Sequence, residues 1–520
     1  MNGTASNEAA RDDGDRVPLE SEAASAGDAD RLSELFRARH PAVSIVTSEE
    51  AEALELVRTV AAWGGHQLWI WSALDGVRDD RKPNEAAVKD TADPATGLYW
   101  LAMRQLPSII VLLDAGEHLE DPLTRRALRE LIAGAEQAGS NVVLIDHTQS
   151  LPPAIGAHAT PFELSLPDDD RIERLVRTTL KALHRESPIE IEVSAKDYRT
   201  IVKNLRGLTG RQTRQVIRDV VAEDRRFSSD DLNGVLARKR QMIGADGALE
   251  YVESPSSLDD VGGLRTLKKW LRTRERSFSE RAGRYGLAPP RGVLMLGVQG
   301  AGKSLCAKAI ATGWGRPLLR LDPGTLYDRY VGESERRLRD ALRQAEAMAP
   351  IVLWIDEIEK GFASAASQST DGGLSQRMFG TLLTWMQDHR EPVFLIATAN
   401  NIDALPPELL RKGRFDEIFF VDLPREEARA AIFEIHLRRR GRDPSGFDLP
   451  RLARESEGFS GSEIEQAVVS ALHEAFASDR EPDTELIAEQ VRTSPPLSVT
   501  MAESIERLRR WAASRCVPAD

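Results

Sequence analysis

Eight consecutive residues, Gly297, Val298, Gln299, Gly300, Ala301, Gly302, Lys303 and Ser304, fit the pattern G-x-x-x-x-G-K-[ST]. Glycines at this spacing let successive backbone N–H groups close around phosphate oxygens. A lysine can then reach the β- and γ-phosphates, and a hydroxyl can ligate Mg²⁺. The apolar run Val293–Leu296 before the loop reads as a buried strand, and the helical pattern after it would add positive potential from a helix start. A second apolar run, Ile351–Ile355, ends in Asp356 and Glu357. Asp356 is placed to support Mg²⁺. Glu357 is placed to polarise an attacking water, which hydrolysis needs and simple binding does not. A third run, "PVFLIATANNID", ends in Asn400, a neutral amide able to orient that water beside a γ-phosphate. Arg411 and Arg414 follow in a turn-rich segment, and arginines there could stabilise a transferring phosphoryl group, in cis or in trans.

Three strands ending in chemistry and separated by helical patterns call for an α/β sheet with the site at the strand ends. The chain has 520 residues, long enough for two or three domains. It is 41% hydrophobic and 29% charged, with a net charge of −13. That charge argues against nucleic acid as the main partner, since phosphate contacts need clustered Lys and Arg. The basic run Leu437–Arg442 reads as a solvated helix end. Two cysteines, Cys306 and Cys516, are too few for a disulfide framework and point to a reducing compartment. No segment is long and apolar enough to insert in a membrane, and the small, polar, acidic start carries no signal pattern. A cytoplasmic location is expected, with residues up to about 30 as a disordered acidic tail.

Together these segments resemble the AAA family of the AAA+ ATPases, from Leu258 to the end of the chain. In that resemblance Gly297–Ser304 is the Walker A loop and Asp356–Glu357 the Walker B pair. Asn400 is a first sensor, and Arg411 and Arg414 are the fingers that reach a neighbour's ATP. "LDDVGGL" (Leu258–Leu264) is similar to the adenine-side segment, and "GFSGSEIEQAV" (Gly458–Val468), with Gly461, to the helical lid over the nucleotide. Ser460 and Glu463 also spell a capping box. Fingers in trans imply a ring, normally a homo-hexamer. In rings that pull polypeptides, the loop after the second strand carries an aromatic, an apolar residue and Gly; Tyr330, Val331 and Gly332 match it, and the alternative is a staple of Tyr330 on Leu338 and Leu342. "GFASAASQSTDGGLSQ", after Lys360, stands where relatives place a second channel loop. More narrowly, "LRRWAASR", "LPPELLRKGRFDEIFFVDLP" and "PLSVTMAESIERLR" resemble the plastid and bacterial family called hypothetical chloroplast open reading frame forty-six. That family supplies architecture and ATP with Mg²⁺ as cofactors, but no substrate.

The first half repeats the order of the second. "GLTGRQTRQV" matches "GFSGSEIEQA", "LPDDDRIERLV" matches "LPREEARAAIF", and "SIIVLLDAGEHL" matches "PIVLWIDEIEKG". Its chemistry is missing. No Gly-Lys-Ser/Thr follows the strand Ala42–Val46, Ala115 stands opposite Glu357, and nothing matches Asn400 or the two arginines. The expected fold is therefore α/β, two tandem AAA-type modules, each a sheet plus a helical lid, the first degenerate and the second active. The expected boundaries are a degenerate α/β domain over 31–170, a lid-like domain over 171–240 and a linker over 241–257. The ATPase domain follows over 258–424, its lid over 425–495 and a C-terminal helix over 496–520. Thr500 and Glu503 would cap that helix, with Ile505, Leu508 and Trp511 as its apolar stripe.

Two functions fit. In the first, an ATP-hydrolysing ring remodels or disassembles a protein substrate gripped by Tyr330 and Val331. In the second, the nucleotide state switches assembly and partner docking without threading. "HEAFA" (His473–Ala477) lacks the second histidine of a zinc-protease helix, so the chain would not itself degrade what it unfolds.

Overall fold

Parallel strands buried on both faces need nearly continuous apolar residues, and that is how the central strands of this chain read. The computed structural model describes residues 26–82, 84–104, 107–148, 151–228, 231–245, 248–252, 258–278, 280–326, 333–360, 374–411 and 413–520. They form two units, Met1–Ser165 and Leu166–Asp520.

The first unit is built on a six-stranded sheet of β1 (Ala42–Val46), β2 (Gln67–Ser72), β3 (Gly76–Asp79), β4 (Ser108–Leu113), β5 (Asn141–Asp146) and β6 (Ala159–Pro161). Its order is β3-β2-β4-β5-β1-β6, with β3 antiparallel and the rest parallel. Alternation along the strands divides the core in two. Val43, Ile45, Val111 and Val143 pack on Leu56, Val57 and Val60 of the helix Glu50–Gly64. Ile110, Leu112, Val142 and Leu144 pack on Leu98 and on Leu128 and Leu131 of the helices Pro94–Ala102 and Pro122–Ala138. A helix over Ala26–Arg37 precedes β1, with Ala29 and Leu32 fully buried. Asp28 accepts from the backbone N–H of Ser165 at 2.9 Å. Residues 26–30, expected to close the tail, instead begin this helix; residues 1–25 lie outside the described residues.

The second unit holds β7 (Glu190–Glu192) and β8 (Arg226–Ser228), which pair with each other beside helices, and a seven-stranded sheet. The sheet consists of β9 (Leu249–Val252), β10 (Gly292–Gly297), β11 (Leu318–Leu321), β12 (Ile351–Ile355), β13 (Val393–Ala399), β14 (Glu417–Val421) and β15 (Val517–Pro518). Its order is β15-β14-β10-β13-β12-β11-β9. Val293 and Met295 face Cys306 and Ile310 of the helix Lys303–Gly313. Leu294 and Leu296 face the opposite layer, with Leu338 and Leu342 of the helix Glu333–Ala347 and Met378 of the helix Leu374–Asp388. Connections thus leave the sheet on both faces, and the crevice where they part lies at the carboxyl ends of β10, β12 and β13.

The stretch expected as a linker contains β9, antiparallel to β11, with Leu249 2% exposed. The Leu249–Tyr251 alternation was the signal, in a segment too short to show a period. The helical segment expected to be the first half's lid shares the apolar core of the second unit, where Leu205, Leu208 and Val216 join Ala345 and Met348 in one cluster. Gly207, at φ +83°, comes so close to Met348 that a Cβ would lie 2.3 Å from its Cγ, and its carbonyl accepts from Gln344 Nε2 at 2.9 Å. The helices Glu426–Arg439, Leu449–Glu455, Gly461–Ala477 and Thr484–Thr493 enclose Phe433, Leu452, Ile464 and Ile487 as a separate small core. Ser460 and Glu463 form both bonds of the expected capping box.

The box at Thr500 and Glu503 does not form. Thr500 ends a short helix, Leu497–Thr500, and Met501 precedes the helix Ala502–Ala512 without a side-chain cap. Ile505 and Leu508 are buried as expected. The chain then runs into the sheet, where the Ala519 N–H donates to the Phe420 carbonyl at 2.9 Å and Arg509 forks onto Asp422 at 2.9–3.1 Å.

Lys239, in the helix Asp231–Ala245, is only 5% exposed. Burial, helped by the charge of Arg206, lowers its ammonium from 10.5 to about 7. Between these values the unfolded chain binds more protons than the folded one. This group's contribution is thus present above the unfolded value and lost as pH falls through 7. Lys239→Met should stabilise this unit near pH 7 by on the order of 3 kcal/mol, a gain that shrinks towards about pH 10. Urea unfolding at the two pH values measures it.

Candidate functional site

Glycine geometry shapes the loop that follows β10. Gly300 and Gly302 sit at φ +74° and +93°, a region that side chains with a Cβ rarely adopt. At Gly300 a Cβ would lie 2.2 Å from the Ser462 hydroxyl, so the loop and the start of the helix Gly461–Ala477 touch through backbone. The Ser462 N–H donates to the Gly300 carbonyl at 3.1 Å. A cavity of about 420 Å³ opens above this contact. Gln299, Gly300, Ala301, Gly302, Lys303, Ser304, Asp356, Glu357, Asn400 and Gly461 all line it. Gly297 and Val298 lie just beneath, their carbonyls accepting from Lys303 Nζ at 2.9 and 2.7 Å.

Lys303 is 6% exposed, and burial lowers its ammonium to about 8 against the pull of Glu359, Asp356 and Glu357. An anion placed on the loop would restore the charged form. The Ser304 hydroxyl donates to Asp356 at 3.0 Å. A hydroxyl and a carboxylate side by side at the strand ends are hard oxygen donors of the kind Mg²⁺ takes, and both face the cavity. The Thr398 hydroxyl, buried on β13, donates to Asp356 Oδ1 and accepts from the Glu357 N–H at 3.0 Å. Glu357 itself has φ +48°. That costly backbone conformation turns its carboxylate away from the strand and towards Asn400, whose Nδ2 donates to Oε1 at 2.9 Å. Lys360 pairs with the other carboxylate oxygen.

Sequence reasoning missed three contributors. Thr398 braces both acids, yet a threonine on a buried strand has no distinctive pattern. Glu359 is 5% exposed; its Oε1 accepts from the Asn400 N–H at 2.8 Å, its Oε2 has no hydrogen-bond partner, and burial raises its carboxyl above the usual range. Its signal was an acid two places after Glu357 on a helical turn. His436, whose imidazole is lowered from its usual range by burial, lines the cavity with Ile432, Arg439 and Asp260–Gly262, and Arg439 pairs with Asp260 at 3.8 Å. Of these, Asp260–Gly262 was marked in the sequence as the adenine side, while Arg439 was read there only as part of a solvated helix end.

The arginines stand apart. Neither Arg411 nor Arg414 lines the cavity. Arg411 is exposed, and Arg414 donates to the Glu408 carbonyl. Tyr330, Val331 and Gly332, and the second loop after Lys360, lie outside the described residues. His473 is on the exposed surface of its helix. Among the described residues no helix is long and apolar enough to cross a membrane.

A phosphate loop ahead of a helix, two strand-end acids, a third strand with a polar end and a four-helix cap define an ATPase module of the AAA class. Residues 293–423 match the model of the "ATPase family associated with various cellular activities (AAA)", and 446–487 that of the AAA+ lid domain. Residues 28–164 and 170–246 match the N-terminal and second domains of SpoVK-like AAA ATPases. The chain is 35% identical to the uncharacterized AAA domain-containing protein ycf46 of Guillardia theta, over 92% of this chain and 94% of that one. It is 36% identical to ycf46 of Pyropia yezoensis over 92% and 96%. It is also 27% identical to protein CdcH of Halobacterium salinarum, over 72% of this chain and 55% of that one. The chain belongs to the AAA ATPase family, in the group of SpoVK-like and ycf46 proteins.

Proposed function

We propose that this chain hydrolyses ATP with Mg²⁺ in a homo-hexameric ring and uses the energy to remodel or disassemble a protein substrate. The observation that carries the reading is the Asn400–Glu357 contact of 2.9 Å beside the phosphate loop, since a carboxylate held by a neutral amide suits water activation rather than binding alone. The loop amides of Val298–Gly302 and Lys303 hold the phosphates. Ser304 and Asp356 would hold Mg²⁺, which would supply positive charge against the phosphates. Glu357 takes the proton of the attacking water, and Asn400 fixes the carboxylate and reads the γ-phosphate. Arg411 and Arg414 complete the site of the neighbouring subunit. Tyr330, Val331 and Gly332 grip an extended chain in the channel, where an aromatic holds by apolar contact without reading sequence.

The first unit is read as a degenerate copy of the ATPase module. What supports this is strand order: β3-β2-β4-β5-β1-β6 runs in the same sense as β9-β11-β12-β13-β10-β14, each with its antiparallel strand at the same edge. The divisions at about 31–170, 258–424 and 425–495 follow from that reading.

Capture by a hydrolysis-dead form tests the function. The Glu357→Gln chain, loaded with ATP and isolated from cells, should hold a protein that the Tyr330→Ala, Glu357→Gln chain loses. Partners held equally by both would overturn threading and favour a nucleotide-gated switch.

A further inference from the structure

We propose that Glu50, Asp114 and His147 in the first unit form a binding site for a first-row divalent cation, with Zn²⁺ or Mn²⁺ as the fitting class. The three residues come from separate parts of the chain. Glu50 opens the helix that follows β1, Asp114 follows β4 and His147 follows β5. These strands are neighbours in the sheet, in the order β4-β5-β1, so their carboxyl ends bring the three side chains to one point. One ligand atom from each lies within 4.8 Å of the other two.

Two further observations point to a cation rather than to a patch of surface acids. The first is the histidine. His147 Nδ1 lies 3.1 Å from the Thr47 carbonyl, which can only accept, so Nδ1 is the donor and, in the neutral ring, Nε2 is the nitrogen free to ligate. Nε2 lies 4.0 Å from Asp114 Oδ1. A carbonyl anchoring one ring nitrogen and freeing the other is how metal-ligating histidines are held. The second is Asp114. Its Oδ1 is shielded from solvent and has no hydrogen-bond partner, a costly state that a cation would relieve. Its backbone is fixed by the sheet, its N–H donating to the Ile145 carbonyl at 3.0 Å.

One imidazole and two carboxylates form a mixed nitrogen–oxygen donor set. It suits Zn²⁺, Mn²⁺ or Fe²⁺ better than Ca²⁺ or Mg²⁺, which prefer oxygen alone. His147 is half exposed, so remaining coordination positions open to water. The site does not depend on reading the first unit as a degenerate ATPase module.

The full chain, cleared of metal with a chelator and free of nucleotide, is titrated with Zn²⁺ by calorimetry. One site per chain should appear, weakened at least about tenfold in His147→Ala and in Glu50→Gln, and kept in Asp356→Asn. Equal binding by wild type and His147→Ala, or loss in Asp356→Asn, would overturn the proposal. X-ray absorption on the zinc-loaded wild-type chain needs no variant to fold. One imidazole with oxygen neighbours around zinc is expected; an all-oxygen shell or two or more imidazoles would contradict it.

Discussion

Glu357→Gln should slow ATP turnover by about 10²–10⁴-fold while leaving nucleotide affinity within about twofold. The size of the effect follows from what the substitution removes. The amide is isosteric with the carboxylate, so the Glu357 oxygen can still accept from Asn400 Nδ2 and the strained turn at φ +48° can persist. The glycine loop, Lys303, Ser304 and Asp356 are untouched. What disappears is the capacity to accept a proton from water, together with the charge that pairs with Lys360 at the rim. Two glutamates follow β12, and they are not equivalent. Glu359 is buried and bonded to the Asn400 backbone, which makes it a positioning residue. Glu357 lines the cavity. Phosphate release and fluorescent-nucleotide titration separate the two quantities. Unchanged turnover would move the base elsewhere.

Replacing Arg411 and Arg414 together by Ala should cost about 10³-fold or more in turnover, again with ATP affinity retained. Both lie outside the cavity of their own chain, so the loss would not come from the chain's own phosphate contacts. Burial and the adjacent Arg411 charge hold Arg414 below its ordinary range. Two like charges side by side form a place where an anion is welcome, and a neighbour's γ-phosphate has that charge. The same steady-state assay that measures Glu357→Gln measures this variant. Near-normal turnover would remove the arginines from the chemistry.

The candidate nucleotide site was legible because its chemistry is concentrated in short runs. Gly297–Ser304, Asp356–Glu357 and Asn400 are each fixed by a strand end, so reading the strand placed the side chain. Ser460 and Glu463 were legible for a different reason: a capping box is decided within four residues. Thr500 and Glu503 show the limit of that rule. Pro496 starts a short helix that uses Thr500 at its end, so the same letters do not cap the next helix. β9 was missed because its pairing partner, β11, lies about seventy residues away, and no local pattern records that register. The same holds for the helices around Leu205 and Val216. Their apolar faces were visible, but not which core they would join. Thr398 and Glu359 act by bracing others, and bracing leaves no spacing to recognise.

Mixing two inactive forms tests the central claim most directly. Arg411→Ala, Arg414→Ala subunits keep Glu357 and lack only arginines. Glu357→Gln subunits keep the arginines. In a shared-site ring each can supply what its neighbour lacks. Differently tagged chains are mixed, doubly purified and assayed for ATP hydrolysis. Activity should return at the mixed boundaries, about a quarter of all sites for random equal mixing. Doubly tagged assemblies that remain as inactive as either parent would contradict a site completed by the neighbouring subunit.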